Sequence, residues 1–157
     1  MKIFIYISLS CLWISPVYGA DKNPLPRFAS LRSNEVNARV GPGPGYPIEW
    51  VYLKAGLPVE VLVEFDTWRK IRDVDGAEGW VHQSMLCSKR HVIVRGDETL
   101  MYQDADAQSQ PLIRIGHGVV GDLIKCQEKW CQVRIQNFKG WMSRVSLWGV
   151  YSEENLK

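Results

Sequence analysis

The sequence predicts an all-β protein made of two tandem small barrels behind a cleaved signal peptide. Three observations predict this class. The chain opens on an apolar export segment, a block of about sixty residues occurs twice, and both copies divide into short strands separated by glycine-containing turns. Short strands spaced about 8 to 12 residues apart with glycine punctuation are typical of small β-barrels.

Composition excludes several other classes. The 157 residues are 46% hydrophobic and 23% charged, which is neither a disordered nor a fibrous composition. The formal net charge is +2, from 19 basic and 17 acidic residues, and this is too small for the positive field of a nucleic-acid-binding protein. Nucleic acid is therefore not an expected partner.

The start of the chain has the organisation of a secretory signal peptide. Met1-Lys2 precedes an apolar run from Ile3 to Ile14, and a small-residue end follows. The run is shorter than the ~20 apolar residues of a membrane helix, so a cleaved signal is favoured over an uncleaved anchor. Cleavage after Gly19 leaves Val17 and Gly19 at the two small-residue subsites. We expect an exported protein, periplasmic or extracellular, with no membrane span in the mature chain.

Export changes the meaning of the three remaining cysteines, because disulfides persist in an oxidising compartment. Cys126 and Cys131 flank Glu128-Lys129, and a two-residue turn there makes Cys126 face Cys131, where side chains come closest. We expect a Cys126–Cys131 disulfide, stabilising by about 2 kcal/mol on the chain-entropy model, and a free Cys87.

An internal repeat organises the rest of the chain. Trp68 to Arg72 aligns with Trp130 to Arg134, an offset of 62 from position 68 to position 130. The closing Gly79-Trp80 then aligns with Gly140-Trp141 after a one-residue shortening. The same offset of 62 aligns Val40 with Tyr102, Val51 with Ile113, Leu53 with Ile115, Gly56 with Gly118, and Leu62 with Ile124.

Each element of the first copy has a local reason. Alternation predicts a strand over Glu35–Val40, and the prolines and glycines of Gly41–Pro47 predict a loop because they forbid ladder pairing. Turns are predicted at Lys54–Gly56 and at Asp75-Gly76. The remaining elements are strands over Ile48–Leu53, Leu57–Glu64, Trp68–Val74 and Gly79–His82, and one helical turn over Gln83–Leu86.

These elements divide the chain into five segments. Two prolines make residues 20–31 an extended arm, and the connector Cys87–His91 is too short for a flexible tether, so we expect the barrels to abut. The apolar stretch Leu147–Tyr151 is expected to dock onto a barrel. The predicted segments are the signal peptide 1–19, the arm 20–31, the first barrel 32–88, the second barrel 89–146 and the C-terminal tail 147–157.

Four blocks of the first copy resemble bacterial SH3-like (SH3b) domains: residues 36–43, 56–61, 68–72 and 79–82. The second copy keeps the Gly, Trp and Gly-Trp positions but lacks the Asn-x-Arg and Gly-Pro-Gly elements, so it resembles a divergent member. The resemblance covers residues 32–145. It implies two SH3-like barrels and a module that binds cell-wall peptidoglycan or proteins, usually attached to a hydrolase. Here we expect that binding half to stand alone.

The first candidate ligand-binding residues lie on one predicted strand. Alternation places Ile71 in the core and Trp68 and Arg72 on the outer face. An indole beside basic residues suits a ligand with apolar sugar or peptide faces and carboxylates, as in peptidoglycan stems. Two roles are open for Trp68: ligand contact, or cover for the barrel end or the contact between the copies.

Asn37, Arg39 and Tyr46 complete the predicted ligand site. Asn37 and Arg39 alternate with apolar residues, and the resemblance implies that they border the groove beside the Gly/Pro loop. Arg39 can bond a ligand carboxylate or pair with Glu49 or Asp66. Tyr46 lies on the loop itself, where it either contacts ligand or locks its own loop.

Catalysis is hard to build from this sequence. A cysteine hydrolase needs a thiolate beside histidine, but Cys87 with His82 or His91 lies in no activated-nucleophile context. Cys87 and His91 with Cys126 and Cys131 match no compact zinc spacing. We therefore expect no enzyme activity, catalytic residue, metal or cofactor. The predicted function is binding of peptidoglycan or wall-associated peptides, and the alternative is an interaction or regulatory module for an envelope protein or a separate cell-wall hydrolase.

Overall fold

A computed structural model describes residues 24–156 of the chain. The predicted signal peptide, residues 1–19, and residues 20–23 of the predicted arm lie outside the described residues. Within them the chain is all-β, with two antiparallel seven-stranded sheets, as the sequence predicts. No helix between residues 24 and 156 is long and apolar enough to cross a membrane.

The strands of the first barrel are β1 (Arg27–Leu31), β2 (Val36–Arg39), β3 (Ile48–Tyr52), β4 (Pro58–Phe65), β5 (Trp68–Arg72), β6 (Glu78–His82) and β7 (Leu86–Cys87). They lie side by side in the order β3-β2-β6-β5-β4-β1-β7, so β3 and β7 form the edges. A single 3-10 turn at Gln83–Met85 precedes β7, close to the predicted helical turn.

The strands of the second barrel are β8 (His91–Val94), β9 (Glu98–Tyr102), β10 (Pro111–Gly116), β11 (Val120–Gln127), β12 (Trp130–Ile135), β13 (Phe138–Ser143) and β14 (Leu147–Trp148). Their order, β10-β9-β13-β12-β11-β8-β14, repeats that of the first barrel with β8 in the place of β1. A second 3-10 turn, Arg144–Ser146, precedes β14.

Each barrel closes on its own apolar core. In β5 only Ile71 is buried, and the alternation leaves Trp68 and Arg72 half-buried on the outer side, as predicted. The first core gathers Leu31, Val36, Ala38, Val59, Val61, Ile71 and Val81. The second gathers Val92, Val94, Met101, Ile115, Cys131, Val133 and Met142.

The repeat is confirmed, and its finer features recur in both copies. Gly56 and Gly118 have positive φ angles of 79° and 77°, a conformation that glycine adopts without a Cβ clash. The long strands β4 and β11 each carry a register shift, around Leu62 in one and Ile124 in the other. These two residues are the ones that the offset of 62 aligns.

The offset is wrong by one residue in strands β2 and β3 and in their counterparts, β9 and β10. Arg39 pairs with Trp80, and Tyr102 pairs with the corresponding Trp141, so Tyr102 corresponds to Arg39 and not to Val40. The next strands follow the same shift, because Arg39 pairs with Ile48 and Tyr102 with Pro111. The turn between β10 and Gly118 is one residue shorter than the turn between β3 and Gly56. An alignment without a gap at this turn therefore places the preceding strands one residue out of register.

The predicted hairpin disulfide is present. Cys126 and Cys131 face each other across β11 and β12, and Gln127 faces Trp130, so Glu128 and Lys129 form the two-residue turn. The bridge lies among the buried residues of the second core. Among the described residues, Cys87 is the cysteine with a free thiol.

The two barrels touch along a seam formed by β1 and the segment from Trp148 to Tyr151. The structure places the last five residues of the predicted arm, Arg27–Leu31, in the first sheet as β1, paired with β4 and β7. Phe28 of β1 packs edge-on against Trp148, with ring centroids 5.1 Å apart, and against Tyr151 at 4.6 Å. The C-terminal segment thus packs against both barrels.

Candidate functional site

A groove on the outer face of the first barrel brings three of the predicted ligand residues together. β2 contributes Asn37 and Arg39, and β5 contributes Trp68. The groove has a volume of about 260 Å³. Strand order explains the grouping, because β6 lies between β2 and β5 and all three present their outer faces on the same side. The remaining lining residues are Glu35, His82 and Met85.

Trp68 forms one wall of the groove. It is the first residue of β5, directly after the β4–β5 turn. It lies opposite Phe65 of β4 and opposite His82 of β6. The indole and the imidazole are perpendicular, with ring centroids 5.7 Å apart, and this edge contact fixes the indole orientation. The imidazole is itself held, because its Nδ1 lies 2.7 Å from the Ser84 hydroxyl. His82, which also lines the groove, therefore holds the indole in place.

Arg39 supplies positive charge to the groove. Its Nη1 donates a hydrogen bond of 2.6 Å to the carbonyl oxygen of Tyr46, which holds the side chain toward the loop. Neither Glu49 nor Asp66 forms an ion pair with it among the described residues. The remaining guanidinium donors are thus not taken by a protein carboxylate, and an arginine fork is suited to an incoming one.

Tyr46 acts on the loop and not as a lining residue. A Cβ built on Gly41 would come within 2.4 Å of the Tyr46 ring, so the ring lies directly on the glycine backbone. Gly43 is the second contact, at 3.3 Å. The structure therefore gives Tyr46 the loop-locking role, and its carbonyl oxygen orients Arg39.

Arg72 is not brought to the groove. Its guanidinium donates two hydrogen bonds to Glu60, at 2.6 and 3.1 Å, and this interaction raises the pKa of Arg72. Glu60 is buried and also accepts a 2.8 Å hydrogen bond from the Tyr151 hydroxyl. Arg72 lies away from the groove because its partner is on β4, on the far side of β5. It belongs to the contact between the barrels because the same Glu60 carboxylate binds Tyr151.

His82, Glu35 and Met85 are groove residues that the sequence analysis did not predict, and His82 is the one in contact with Trp68. Counting outward from a two-residue Asp75-Gly76 turn would set Gln83 opposite Trp68. The observed loop has one residue more, so Arg72 pairs with Glu78 and His82 lies opposite Trp68, a register that the turn prediction does not give.

Comparison with known families assigns the fold. The Bacterial SH3 domain family matches residues 32–87 and again residues 95–149. The chain belongs to the bacterial SH3 domain family. Bacterial SH3 domains are cell-wall-associated binding modules, and the family therefore places this chain in that class. The Cys126–Cys131 disulfide is consistent with an exported protein.

The solved structures to which this chain is similar include two proteins of Trichomonas vaginalis. The match to the structure of NlpC2 has a TM-score of 0.39 at 10% identity and covers 83% of this chain and 50% of that one. The match to NlpC1 has a TM-score of 0.36 at 10% identity and covers 82% and 47%. The chain therefore spans about half the length of each structure. A comparison with curated proteins finds no match.

The second SH3 domain has different chemistry at the equivalent place. Tyr102 stands where Arg39 stands in the first domain, and its ring lies edge-on against Trp130, with centroids 5.7 Å apart. The residue opposite Trp130 is Ser143, where the first domain has His82 opposite its tryptophan. The second domain thus presents an aromatic pair in place of an arginine beside an indole.

A larger cavity of about 660 Å³ lies at the seam between the SH3 domains. Its arginines are engaged with protein groups. Arg69 bonds Glu64, Gln83 and two backbone carbonyls, and Arg90 bonds Glu154 and the Gly149 carbonyl. Arg69 thus serves the first domain and Arg90 holds the C-terminal segment, although the Nε atoms of Arg27 and Arg90 are buried without a partner among the described residues. The groove remains our candidate ligand site.

Proposed function

We propose that this protein is a non-catalytic binding protein of the cell envelope, and that its first SH3 domain binds peptidoglycan through the groove of Asn37, Arg39 and Trp68. The carrying observation is the placement of an unpaired arginine beside a supported indole. A stem peptide offers carboxylates to the guanidinium and apolar faces to the indole. Asn37 adds an amide that both donates and accepts hydrogen bonds.

A binding role without catalysis is supported by the state of His91, one of the two histidines considered as a partner of Cys87. His91 has both ring nitrogens engaged, Nδ1 at 2.8 Å from the Ser30 hydroxyl and Nε2 at 3.2 Å from Asp122. Burial, followed by the nearby Lys89 charge, lowers the pKa of His91. A ring held in this way is not free to take a proton from a thiol, which nucleophilic catalysis by Cys87 requires.

Co-sedimentation with purified peptidoglycan sacculi tests the proposal. The wild-type protein should pellet with sacculi, and Arg39→Ala should weaken binding roughly 10- to 100-fold, the equivalent of about 1.5–3 kcal/mol for a hydrogen bond to a charged group. Trp68→Ala should weaken it by at least about tenfold, because a buried tryptophan anchor is worth about 2 kcal/mol or more. Each variant is first shown to be folded by its thermal unfolding transition.

Two matched controls come from the second SH3 domain. Trp130→Ala removes the corresponding indole, and Arg114→Ala removes an exposed arginine that pairs with Glu98. Both variants should pellet like the wild-type protein. Failure of the wild-type protein to bind sacculi overturns the wall-binding proposal, and equal losses in the controls and in the groove variants overturn the assignment of the groove.

A further inference from the structure

We propose that two copies of this chain associate through strand β3, which pairs antiparallel with its own counterpart across a two-fold axis. Within residues 24–156, β3 is an edge of the first sheet and has a hydrogen-bonded neighbour, β2, on one side only. An edge strand presents unpaired backbone donors and acceptors to any extended strand that comes alongside.

The side chains around this edge are apolar and exposed. Leu53 is 74% exposed, Trp50 53%, Ile48 47% and Val51 43%. Val51 lies opposite Asn37 and so points to the outer face, whereas Trp50 lies opposite the core residue Ala38 and points to the other face. We name the exposed set the β3 edge patch; its members are Val40, Tyr46, Ile48, Trp50, Val51 and Leu53.

The second SH3 domain provides an internal comparison for this edge. Its edge strand β10 occupies the same place in the same strand order, but its residues protect it. The pairing of β10 with β9 and of β3 with β2 shows that Pro111 corresponds to Ile48 and Arg114 to Val51. Proline, which cannot donate to a ladder, and a charged residue are the usual means of blocking edge pairing. β3 contains no proline, and Glu49 is its one charged residue among four apolar or aromatic ones, so its edge is less protected than that of β10.

Because the edge patch has members on both faces of the strand, its occupant has to cover both faces and also satisfy backbone groups. An added β-strand does so. The six members expose roughly 600 Å² together, at 43–74% exposure and on the order of 200 Å² for a large free side chain. Two copies would bury about 1,200 Å² between them, which reaches the lower limit of specific interfaces.

Charge also permits a second copy as the partner. Glu49 and Lys54 are the charged residues of the segment from position 48 to position 54. In a two-fold pairing centred on Val51, Glu49 lies opposite Leu53 of the second copy, and Lys54 lies opposite Ile48 of the second copy. No like charges meet, and the backbone continues from one first domain into the other as a single sheet.

The dimer has a consequence that rests on the proposed function. A two-fold axis perpendicular to the sheet keeps both outer faces on the same side, so both grooves open toward one surface. Their β2 strands would be three strand spacings apart, about 14 Å. Two linked sites that reach the same polymer raise the apparent affinity well above that of one site.

Sedimentation velocity of the purified protein tests the dimer without any wall ligand. From about 5 µM to about 500 µM the wild-type protein should shift from the mass of one chain to that of two. Trp50→Lys and Val51→Lys, which add charge to opposite faces of β3, should each remain one chain at every concentration. Leu112→Lys changes an exposed apolar residue of β10 and should dimerise like the wild-type protein. Thermal unfolding shows that each variant is folded.

A charge-swap mixture makes the test specific to the two-fold pairing. Val51→Lys and Val51→Glu should each be monomeric, and their equimolar mixture should regain the mass of two chains because Lys then faces Glu. The proposal is overturned if the wild-type protein is monomeric up to about 500 µM, or if the Trp50→Lys and Val51→Lys variants still dimerise. It is also overturned if Leu112→Lys abolishes dimerisation as they do. Loss of sacculus binding with dimerisation intact would instead refute the proposed function alone.

Discussion

Removing the hydrogen bond from Tyr151 to Glu60 is the most direct test of how the two SH3 domains are held together. The Tyr151 hydroxyl donates to Glu60 Oε1 at 2.8 Å, and Arg72 occupies Oε2 of the same carboxylate at 2.6 Å. Burial, followed by the hydrogen bond to Glu60, raises the pKa of Tyr151, so the phenol remains a donor throughout the neutral range.

Tyr151→Phe removes this one donor and keeps the ring that packs on Phe28. A hydrogen bond to a charged group contributes about 1.5–3 kcal/mol, and the partial exposure of Tyr151 favours the lower part of that range. We expect a loss of about 1.5–2 kcal/mol in the free energy of unfolding. For a chain of this size that corresponds to a melting temperature lower by about 3–8 °C.

Urea unfolding and differential scanning calorimetry measure the effect. Tyr46→Phe is the matched control, because its hydroxyl has no hydrogen bond among the described residues, and it should change stability by less than about 0.5 kcal/mol. A double-mutant cycle of Tyr151→Phe with Glu60→Gln should show a coupling of about 1 kcal/mol or more. A Tyr151→Phe variant as stable as the wild-type protein, or strict additivity in the cycle, would refute the reasoning.

Two further predictions concern stability. Replacing Cys126 and Cys131 together by Ser should destabilise the protein by at least about 2 kcal/mol in non-reducing urea unfolding, because the loop closure is lost and hydroxyls enter a core. The control Cys87→Ser should change stability little. A double variant as stable as the wild-type protein would contradict this. Burial and then the Lys89 charge lower the pKa of folded His91, so the unfolded chain binds the proton more readily and stability should fall as the pH drops through about 6.5. His91→Asn should flatten this part of the profile measured at pH 7.5, 6.5 and 5.5, and a parallel profile would exclude His91 as the cause.

Sequence reasoning succeeded where the signal is local. The Cys126–Cys131 pairing follows from one hairpin, in which counting outward from a two-residue turn determines which side chains meet. Strand alternation in β5 likewise separates the buried Ile71 from the half-buried Trp68. Neither inference requires knowledge of a distant partner.

The elements that escaped prediction depend on partners far along the chain. Residues 27–31 are a strand because Ala29 pairs with Val59 and Ser30 with Cys87, and neither partner can be identified from the short β1 segment. Arg72 shares the outer side of β5 with Trp68, so alternation alone assigns both to one site. The separation comes from the Glu60 carboxylate on β4, which binds Arg72 away from the groove.

The two SH3 domains use one hairpin scaffold with different chemistry, and this difference separates their roles. Where the second domain has the Cys126–Cys131 disulfide, the first has Glu64 facing Arg69, joined by a 3.1 Å ion pair. The disulfide holds the second domain covalently, and the same domain carries the C-terminal segment that Arg144 anchors through three backbone carbonyls.

The same division extends to the outer faces of the domains. The tryptophan after the hairpin turn stands beside a tyrosine in the second domain and beside an arginine-lined groove in the first. The edge strands differ in the same way: β10 of the second domain begins with Pro111, whereas β3 of the first domain is mostly apolar. The second domain thus combines the covalent bridge and the C-terminal anchor with a closed surface. The first combines an open groove with an open edge, and contacts with other molecules are therefore expected to concentrate there.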